Sequence, residues 1–226
     1  HDTSRAGLLL LDKPSGMTSF DCIRALRRQT GVRKIGHAGT LDPMATGLML
    51  MLFGAATKQA QSISKLDKVY QAEITLGATS VTGDQEGELT VVSKREPSRS
   101  ELEDALGRFH GEITQTPPAY SAIKIGGVRA YKLARQGKTV EVPSRQVTVH
   151  AITLLNYSYP KVTIEAHVSS GTYIRTLAED IGAALQVGAY LSALQRTAVG
   201  RYQLEESHAL PDVTSSLLNN YLISIS

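Results

Sequence analysis

Cysteine, tryptophan and long apolar runs are scarce in this chain of 226 residues. Cys22 is the single cysteine, which excludes an internal disulfide and a metal site built from several cysteines. The longest stretch without a polar side chain is residues 47–56, far short of the roughly 20 residues that cross a bilayer. No basic and then apolar segment opens the chain. We therefore expect a protein that is not exported and is located in a reducing cytoplasm.

The charge of the chain is unevenly distributed, although its net charge is only +3. Residues 1–70 hold ten Lys and Arg against five Asp and Glu, residues 71–115 hold four against nine, and residues 116–150 hold six against one. Two basic segments separated by an acidic one indicate a field that attracts a polyanion such as nucleic acid. The alternative is that these charges form ordinary solvated surfaces. Global disorder is excluded, because 42% of the residues are hydrophobic.

Hydrophobic periodicity predicts more strands than helices. Thr18 or Ser19 is predicted to cap the first helix, and Ser98 with Glu101 to form a capping box for the third. The predicted strands are residues 7–11, 48–53, 70–76, 147–155, 162–168 and 191–199, and the predicted helices are residues 18–29, 55–66, 98–109 and 172–186. Alternating strands are typical of antiparallel pairing. We predict an α+β fold with a mixed, mainly antiparallel sheet flanked by helices.

Residues 36–47, Gly-His-Ala-Gly-Thr-Leu-Asp-Pro-Met-Ala-Thr-Gly, form the most unusual segment. Glycines and a proline between a basic helix and an apolar strand are typical of a loop that brings a polar side chain, here Asp42, close to a ligand. The alternative is a tight connection in which Asp42 caps a turn before Pro43. No Gly-Lys-Ser/Thr follows for a phosphate cradle, and His37 with Asp42 supplies too few ligands for a metal.

A catalytic carboxylate needs a partner that keeps it ionised, and Arg175 is the best candidate for that partner of Asp42. Arg175 lies at the start of a predicted helix that is otherwise apolar, where a lone charge indicates pairing. The alternative is a solvated arginine at the end of a helix.

Five motifs, in order along the chain, resemble those of the TruB family of tRNA pseudouridine synthases. They are residues 11–19 with Lys-Pro-x-Gly, the loop at 36–47, the Lys-Val-Tyr of 68–70, and residues 117–124 and 171–176. The resemblance extends from residue 7 to about residue 205, and five motifs in the right order and spacing exclude coincidence.

The resemblance implies that uridine 55 in the tRNA T-loop is flipped out and isomerised to pseudouridine. It also implies the pseudouridine synthase fold with an RNA-binding cleft, the T-arm stem-loop of tRNA as partner, no cofactor, no metal, no membrane and a monomer. One alternative is a non-catalytic protein that binds or folds tRNA, which has no need for Asp42, Tyr70 and Arg175 together. Another is the guide-RNA-dependent relative of archaea and eukaryotes, but the Met-Ala-Thr-Gly end of the loop resembles the standalone bacterial type.

The resemblance also assigns roles to individual residues. Asp42 matches the essential aspartate, which either attacks the ribose or removes its 2′ proton. Tyr70 matches the tyrosine that stacks on the flipped uracil and handles the C5 proton, and Arg175 matches the arginine that pairs with Asp42. The implied binding residues are His37, which enters the space left by flipped bases, Tyr173 and Leu194 beside the uracil, and Lys13, whose role is structural.

Residues 1–205 are predicted to be the catalytic domain and residues 206–226 a C-terminal tail, since the family's RNA-binding PUA module is truncated or absent. Residues 116–140 are a candidate for the family's mobile RNA-contacting thumb loop, with Lys132 and Arg135 on the RNA backbone. A basic surface helix is the alternative for this segment.

Overall fold

A computed structural model describes residues 5–118, 124–125, 128–129 and 142–225 of the chain. Two compact units are present, one formed by residues 1–70 with 194–226 and the other by residues 71–193. Strands outnumber helices and most strand pairs are antiparallel, so the predicted α+β class is confirmed.

The elements follow the predicted order closely. The strands are β1 (Gly7–Lys13), β2 (Ile35–Ala38), β3 (Thr46–Phe53), β4 (Lys68–Leu76), β5 (Ala78–Ser80), β6 (Leu89–Val91), β7 (Gly111–Gln115), β8 (Lys124–Ile125), β9 (Val128–Arg129), β10 (Arg145–Ser158), β11 (Lys161–Val168), β12 (Ala189–Val199), β13 (Tyr202–Gln203) and β14 (His208–Ala209). The α-helices are α1 (Ser19–Thr30), α2 (Ala60–Ser64), α3 (Arg99–Gly107), α4 (Ile174–Ala184) and α5 (Leu218–Tyr221). Among the described residues, no helix has the length and apolar character needed to cross a membrane.

The first unit is built around β3. Its strand order is β14, β1, β3 and β12, and β2 also pairs with β3. β1 runs antiparallel to β3, and β12 runs parallel to the start of β3 with Arg196 opposite Gly47. Residues 48–53 are fully buried, which explains their continuous apolar run. Residues beyond 206 also pack here, because β14 pairs with β1 and Ile223 bridges to Leu8.

Helix α1 begins at the predicted cap. The Thr18 hydroxyl accepts a hydrogen bond from the Asp21 amide, and the Asp21 carboxylate accepts one from the Thr18 amide, both at 2.9 Å. Gly31 ends the helix in the left-handed conformation, with φ of 76°. Of the two predicted caps, Thr18 is therefore the right one, and Ser19 is free for another contact.

The second unit has the strand order β4, β11, β10 and β7, where β10 is antiparallel to both of its neighbours. β5 and β6 form a separate hairpin. The predicted capping box of Ser98 and Glu101 begins α3. α4 buries Ile174, Leu177 and Ile181, which are the residues that its period predicted.

Several predicted segments differ from the structure in type or extent. Residues 55–66 are a 3₁₀-helix over Gly54–Gln59 before the short α2, and the Thr57 hydroxyl donates to the Gly54 carbonyl at 2.8 Å in competition with regular helix bonds. The loop was predicted to begin at residue 36, but it begins only after β2. β2 is a strand because it pairs with β3, and the local sequence does not indicate this pairing. The last long helix begins at Ile174 rather than residue 172, because Tyr173 is extended.

Candidate active site

The loop that carries Asp42 connects β2 to β3 in the first unit. Its apolar neighbours Leu41 and Met44 are buried, whereas Asp42 is half-buried and Pro43 is exposed. The Ala45 amide donates to the Asp42 carbonyl at 3.0 Å and closes a turn. Burial of the apolar residues thus holds a polar side chain at the edge of the core.

Ser19 fixes the residue before Asp42. The buried Ser19 hydroxyl accepts a hydrogen bond from the Leu41 amide at 3.2 Å and donates to the Leu41 carbonyl at 3.4 Å. The first turn of α1 is therefore bonded to both backbone groups of Leu41.

Lys13 fixes the residue after Asp42. Its fully buried ammonium group donates to the carbonyl oxygens of Pro14 at 2.8 Å, Met17 at 2.7 Å and Pro43 at 3.3 Å. These three bonds use all the donors of the ammonium group. Burial lowers the pKa of Lys13, and the charge of Asp42 is among the neighbouring charges that oppose this shift. These contacts are consistent with the structural role predicted for Lys13, which stays a prediction.

Arg196 on β12 binds both ends of the same loop. Its Nε donates to the Leu48 carbonyl at 2.9 Å, Nη2 to the Gly39 carbonyl at 3.0 Å and Nη1 to the Thr40 carbonyl at 3.5 Å. The side chain is only 1% exposed. The sequence analysis did not identify Arg196. The sequence does indicate it, because Arg196 lies two positions before the buried Ala198 and therefore on the same face of the strand.

Two glycines of the loop are required by this arrangement. Gly47 has φ of 106°, and a Cβ there would lie 2.3 Å from the Arg196 carbonyl oxygen. Gly39 has φ of 84°, and its Cβ would lie 3.5 Å from Arg196 Nη1. Any other residue at either position would be strained, and at Gly47 it would also push β12 away.

His37 lies on β2 opposite Met51 and is half-buried. Its Nδ1 is buried and has no hydrogen-bond partner in the described part of the chain. Burial, and then the charge of Arg196, lowers the pKa of His37. This lowered pKa favours the neutral form of the imidazole.

Tyr70 and Lys68 lie on the same buried face of β4, two positions apart. The Lys68 ammonium donates to the Ser64 carbonyl, and burial followed by the charge of Arg196 lowers the pKa of Lys68 to about 8. Leu194 is half-buried on β12. Five predicted site residues thus belong to the first unit, namely Lys13, His37, Asp42, Tyr70 and Leu194.

Arg175 belongs to the second unit and is 7% exposed, so the solvated alternative is wrong. Its Nη1 donates to the Thr82 carbonyl at 3.2 Å and lies 4.0 Å from Oδ2 of Asp84. The other oxygen of Asp84 accepts hydrogen bonds from the Thr82 hydroxyl at 2.7 Å and the Glu86 amide at 3.0 Å. The pairing of Arg175 with Asp42 stays a prediction, because the two residues lie in different units.

Tyr173 is held through its backbone by Gln115, which the sequence did not indicate. The Gln115 side chain donates from Nε2 to the Tyr173 carbonyl at 3.1 Å and accepts at Oε1 from the Tyr173 backbone amide at 2.9 Å. The Arg145 guanidinium lies 5.2 Å from the centre of the Tyr173 ring. These contacts orient the half-buried ring just before α4.

Lys132 and Arg135 lie outside the described residues. Of the predicted thumb at 116–140, β8 and β9 are described and pair antiparallel. In the other basic segment, the exposed basic residues on α1 and just after it are Arg24, Arg28, Arg33 and Lys34.

Comparison with known proteins places these residues in a family. Residues 27–174 match the TruB family pseudouridylate synthase (N terminal domain), and residues 175–222 match the tRNA pseudouridylate synthase B C-terminal domain. The chain is 50% identical to tRNA pseudouridine synthase B of Cupriavidus metallidurans, over 92% of this chain and 67% of that protein. It is 47% identical to the protein of the same name from Azoarcus sp., over 93% and 70% respectively. This chain thus spans about two thirds of the length of these relatives.

Solved structures show the same architecture. The chain superposes on one chain of a Cbf5-Nop10-Gar1 complex with a TM-score of 0.74 and 29% identity, covering 95% of this chain and 54% of that one. A chain in the structure of an H/ACA RNP bound to a substrate RNA containing 2′-deoxyuridine gives a TM-score of 0.70 and 27% identity, with 95% and 53% covered. From these matches, the chain belongs to the TruB family of pseudouridylate synthases.

Proposed function

We propose that this chain converts uridine 55 of the tRNA T-loop to pseudouridine, with Asp42 as the catalytic carboxylate. The observation that carries the proposal is the anchored loop, in which the backbone is hydrogen-bonded at Leu41 and at Pro43, on both sides of Asp42. Family membership and relatives named tRNA pseudouridine synthase B support tRNA as the substrate.

The reaction exchanges one bond for another. The N1–C1′ bond of uridine breaks, the uracil turns, and a C5–C1′ bond forms. The C5 hydrogen leaves as a proton, and N1 gains one. The isomerisation therefore needs one group that acts on the ribose and one that accepts the C5 proton. Asp42 supplies the first, as a nucleophile at C1′ or as a base for the 2′ proton. Tyr70 supplies the second.

The rigidity of the loop supports the role of Asp42. A nucleophile or base held in reacting geometry gains much of its rate from orientation, and a small displacement loses it. Leu41 is bonded to Ser19, Pro43 to Lys13, and the loop ends to Arg196. Contacts within the protein therefore hold the backbone that carries the Asp42 carboxylate.

Base flipping supports the roles of the aromatic and basic residues. Taking uridine 55 out of the stack costs a few kcal/mol, and an aromatic face such as that of Tyr70 offsets part of this. The neutral His37 is able to enter a space left by bases without adding a buried charge. Phosphate contacts are expected from exposed Arg24, Arg28 and Lys34 and from Lys132 and Arg135.

Release of tritium from a T-arm stem-loop tests the proposal. The stem-loop carries tritium at C5 of uracil 55, and the purified chain is added without guide RNA or partner protein. We expect one tritium released for each pseudouridine formed, and none from a matched stem-loop whose tritium is at a stem uracil. Binding of the stem-loop without release of tritium would instead favour a non-catalytic tRNA-binding protein. Activity that requires a guide RNA would contradict the standalone type.

Replacing Tyr70 separates stacking from proton transfer. Tyr70→Phe keeps the ring, so we expect normal RNA affinity, a stalled reaction and little tritium release. Tyr70→Leu also loses stacking and should weaken binding by about 1–3 kcal/mol. Filter binding and tritium release measure the two effects, with Tyr202→Phe on β13 as the matched control. Full activity in both Tyr70 variants would remove Tyr70 from the mechanism.

Salt dependence tests the predicted RNA contacts of Lys132 and Arg135. Each phosphate contact steepens the fall of log K with log salt by roughly 0.7 to 0.9 units. Double replacement of Lys132 and Arg135 by Ala should therefore flatten the slope by about 1.5 units. Double replacement of the exposed Lys94 and Arg99, in the acidic segment, removes the same charge and should leave the slope unchanged. Equal slopes for the two double variants would mean that Lys132 and Arg135 face solvent.

A further inference from the structure

We propose that Arg196 is a positioning residue, whose guanidinium group sets the backbone of the loop that presents Asp42. The inference rests on the proposed function of Asp42. Arg196 does not need to touch the RNA for this role, since it acts through the loop.

The guanidinium group joins the two ends of the loop. Nε binds the carbonyl of Leu48 in β3, just after the loop, while the two Nη atoms bind the carbonyls of Gly39 and Thr40 at its start. Because the guanidinium is planar and rigid, the three carbonyls keep a fixed relative geometry. Asp42 lies between these anchored ends, so its backbone position follows from the position of Arg196.

Stability is a weak reason for a charged residue at this position. Desolvating a cation is expensive, and a well-packed apolar side chain in its place is often neutral or stabilising. The hydrogen bonds that Arg196 makes to the described residues all go to carbonyl oxygens, not to a carboxylate that neutralises it. A buried charge that is dedicated to one loop indicates a role in the geometry of that loop.

Neighbouring residues are adapted to Arg196. β12 lies parallel to β3 with Arg196 opposite Gly47, where a side chain would collide with the Arg196 backbone. Leu194, the predicted uracil contact, lies two positions before Arg196 on β12. The same strand thus positions the Asp42 loop and one predicted wall of the uracil pocket.

The charge of Arg196 provides a readout that does not depend on catalysis. It adds to burial in lowering the pKa of His37 and of Lys68. Arg196→Met should therefore raise the pKa of the His37 imidazole, whereas Arg196→Lys should keep it low. Titration of the imidazole by NMR follows this effect without RNA.

The decisive experiment compares Arg196→Met and Arg196→Lys with Arg201→Met, an exposed control on the neighbouring turn. Single-turnover rates at saturating T-arm stem-loop and the Kd are measured together. We expect Arg196→Met to lose about 100-fold in rate, as a loop displacement of about 1 Å would cause, with Kd within about threefold. Arg196→Lys should recover part of the rate, because it retains the charge but not the fork. Arg201→Met should resemble the unmodified chain.

Several outcomes would overturn the inference. One is a folded Arg196→Met with an unchanged rate and unchanged amide shifts at residues 39–42. Another is full activity of Arg196→Lys, which would show that the planar guanidinium group is not needed. This result would contradict the inference even if Arg196→Met does not fold. Loss of rate with an unchanged His37 pKa would indicate simple loss of packing. Absence of tritium release by the unmodified chain would contradict the proposed function instead, while the amide shifts and His37 titration would still test the positioning.

Discussion

Asp42→Asn is expected to abolish pseudouridine formation and leave RNA affinity almost unchanged. Asparagine has the same shape, so the loop held by Ser19, Lys13 and Arg196 should keep its conformation. Its amide, however, is neither a nucleophile nor a base, so both candidate routes through Asp42 are closed. Loss of such a group lowers rates by on the order of 10⁴-fold or more.

Single-turnover tritium release and filter binding measure these two effects of Asp42→Asn. The matched control is Asp104→Asn, an exposed carboxylate on α3 that should leave rate and affinity unaltered. Circular dichroism verifies that both variants are folded. If Asp42→Asn formed pseudouridine within tenfold of the unmodified rate, Asp42 would not be the catalytic carboxylate.

Arg175→Ala is expected to lower the rate by several orders of magnitude at saturating RNA. The physical reason is that Arg175, in the pairing with Asp42 predicted from the sequence, orients the carboxylate and favours its charged form. Arg175→Lys restores the charge but not the planar fork, so it should recover only part of the rate.

Single-turnover rates at saturating RNA, measured together with the salt dependence of binding, distinguish this pairing from a phosphate contact. A phosphate-contacting arginine would, on replacement, weaken binding and flatten the salt slope while the saturated rate stayed normal. Arg99→Ala is the control, since Arg99 makes an exposed pair with Glu103 at 3.0 Å that is worth little. A normal rate for Arg175→Ala at saturating RNA would contradict the pairing with Asp42.

Local chemistry explains why much of the fold was predictable. The capping boxes of α1 and α3 involve residues three apart, so the sequence contains both partners. The apolar run of β3 predicts a strand buried on both faces, and that is how it packs. Arg175 was predicted to pair with Asp42 because a lone charge in an apolar helix needs compensation. It is buried and lies 4.0 Å from Asp84, while its pairing with Asp42 stays a prediction.

The sequence by itself determined the α+β class, the main elements, the family and the Asp42 loop as the candidate site, because each depends on motifs or periods within short segments. Only the tertiary structure decided which side chains anchor that loop. Arg196 binds Leu48, 148 positions away, and Ser19 binds Leu41, 22 positions away. Contacts of this kind depend on strand register and helix placement, which bring distant carbonyls to one donor, and no local pattern in the sequence encodes them.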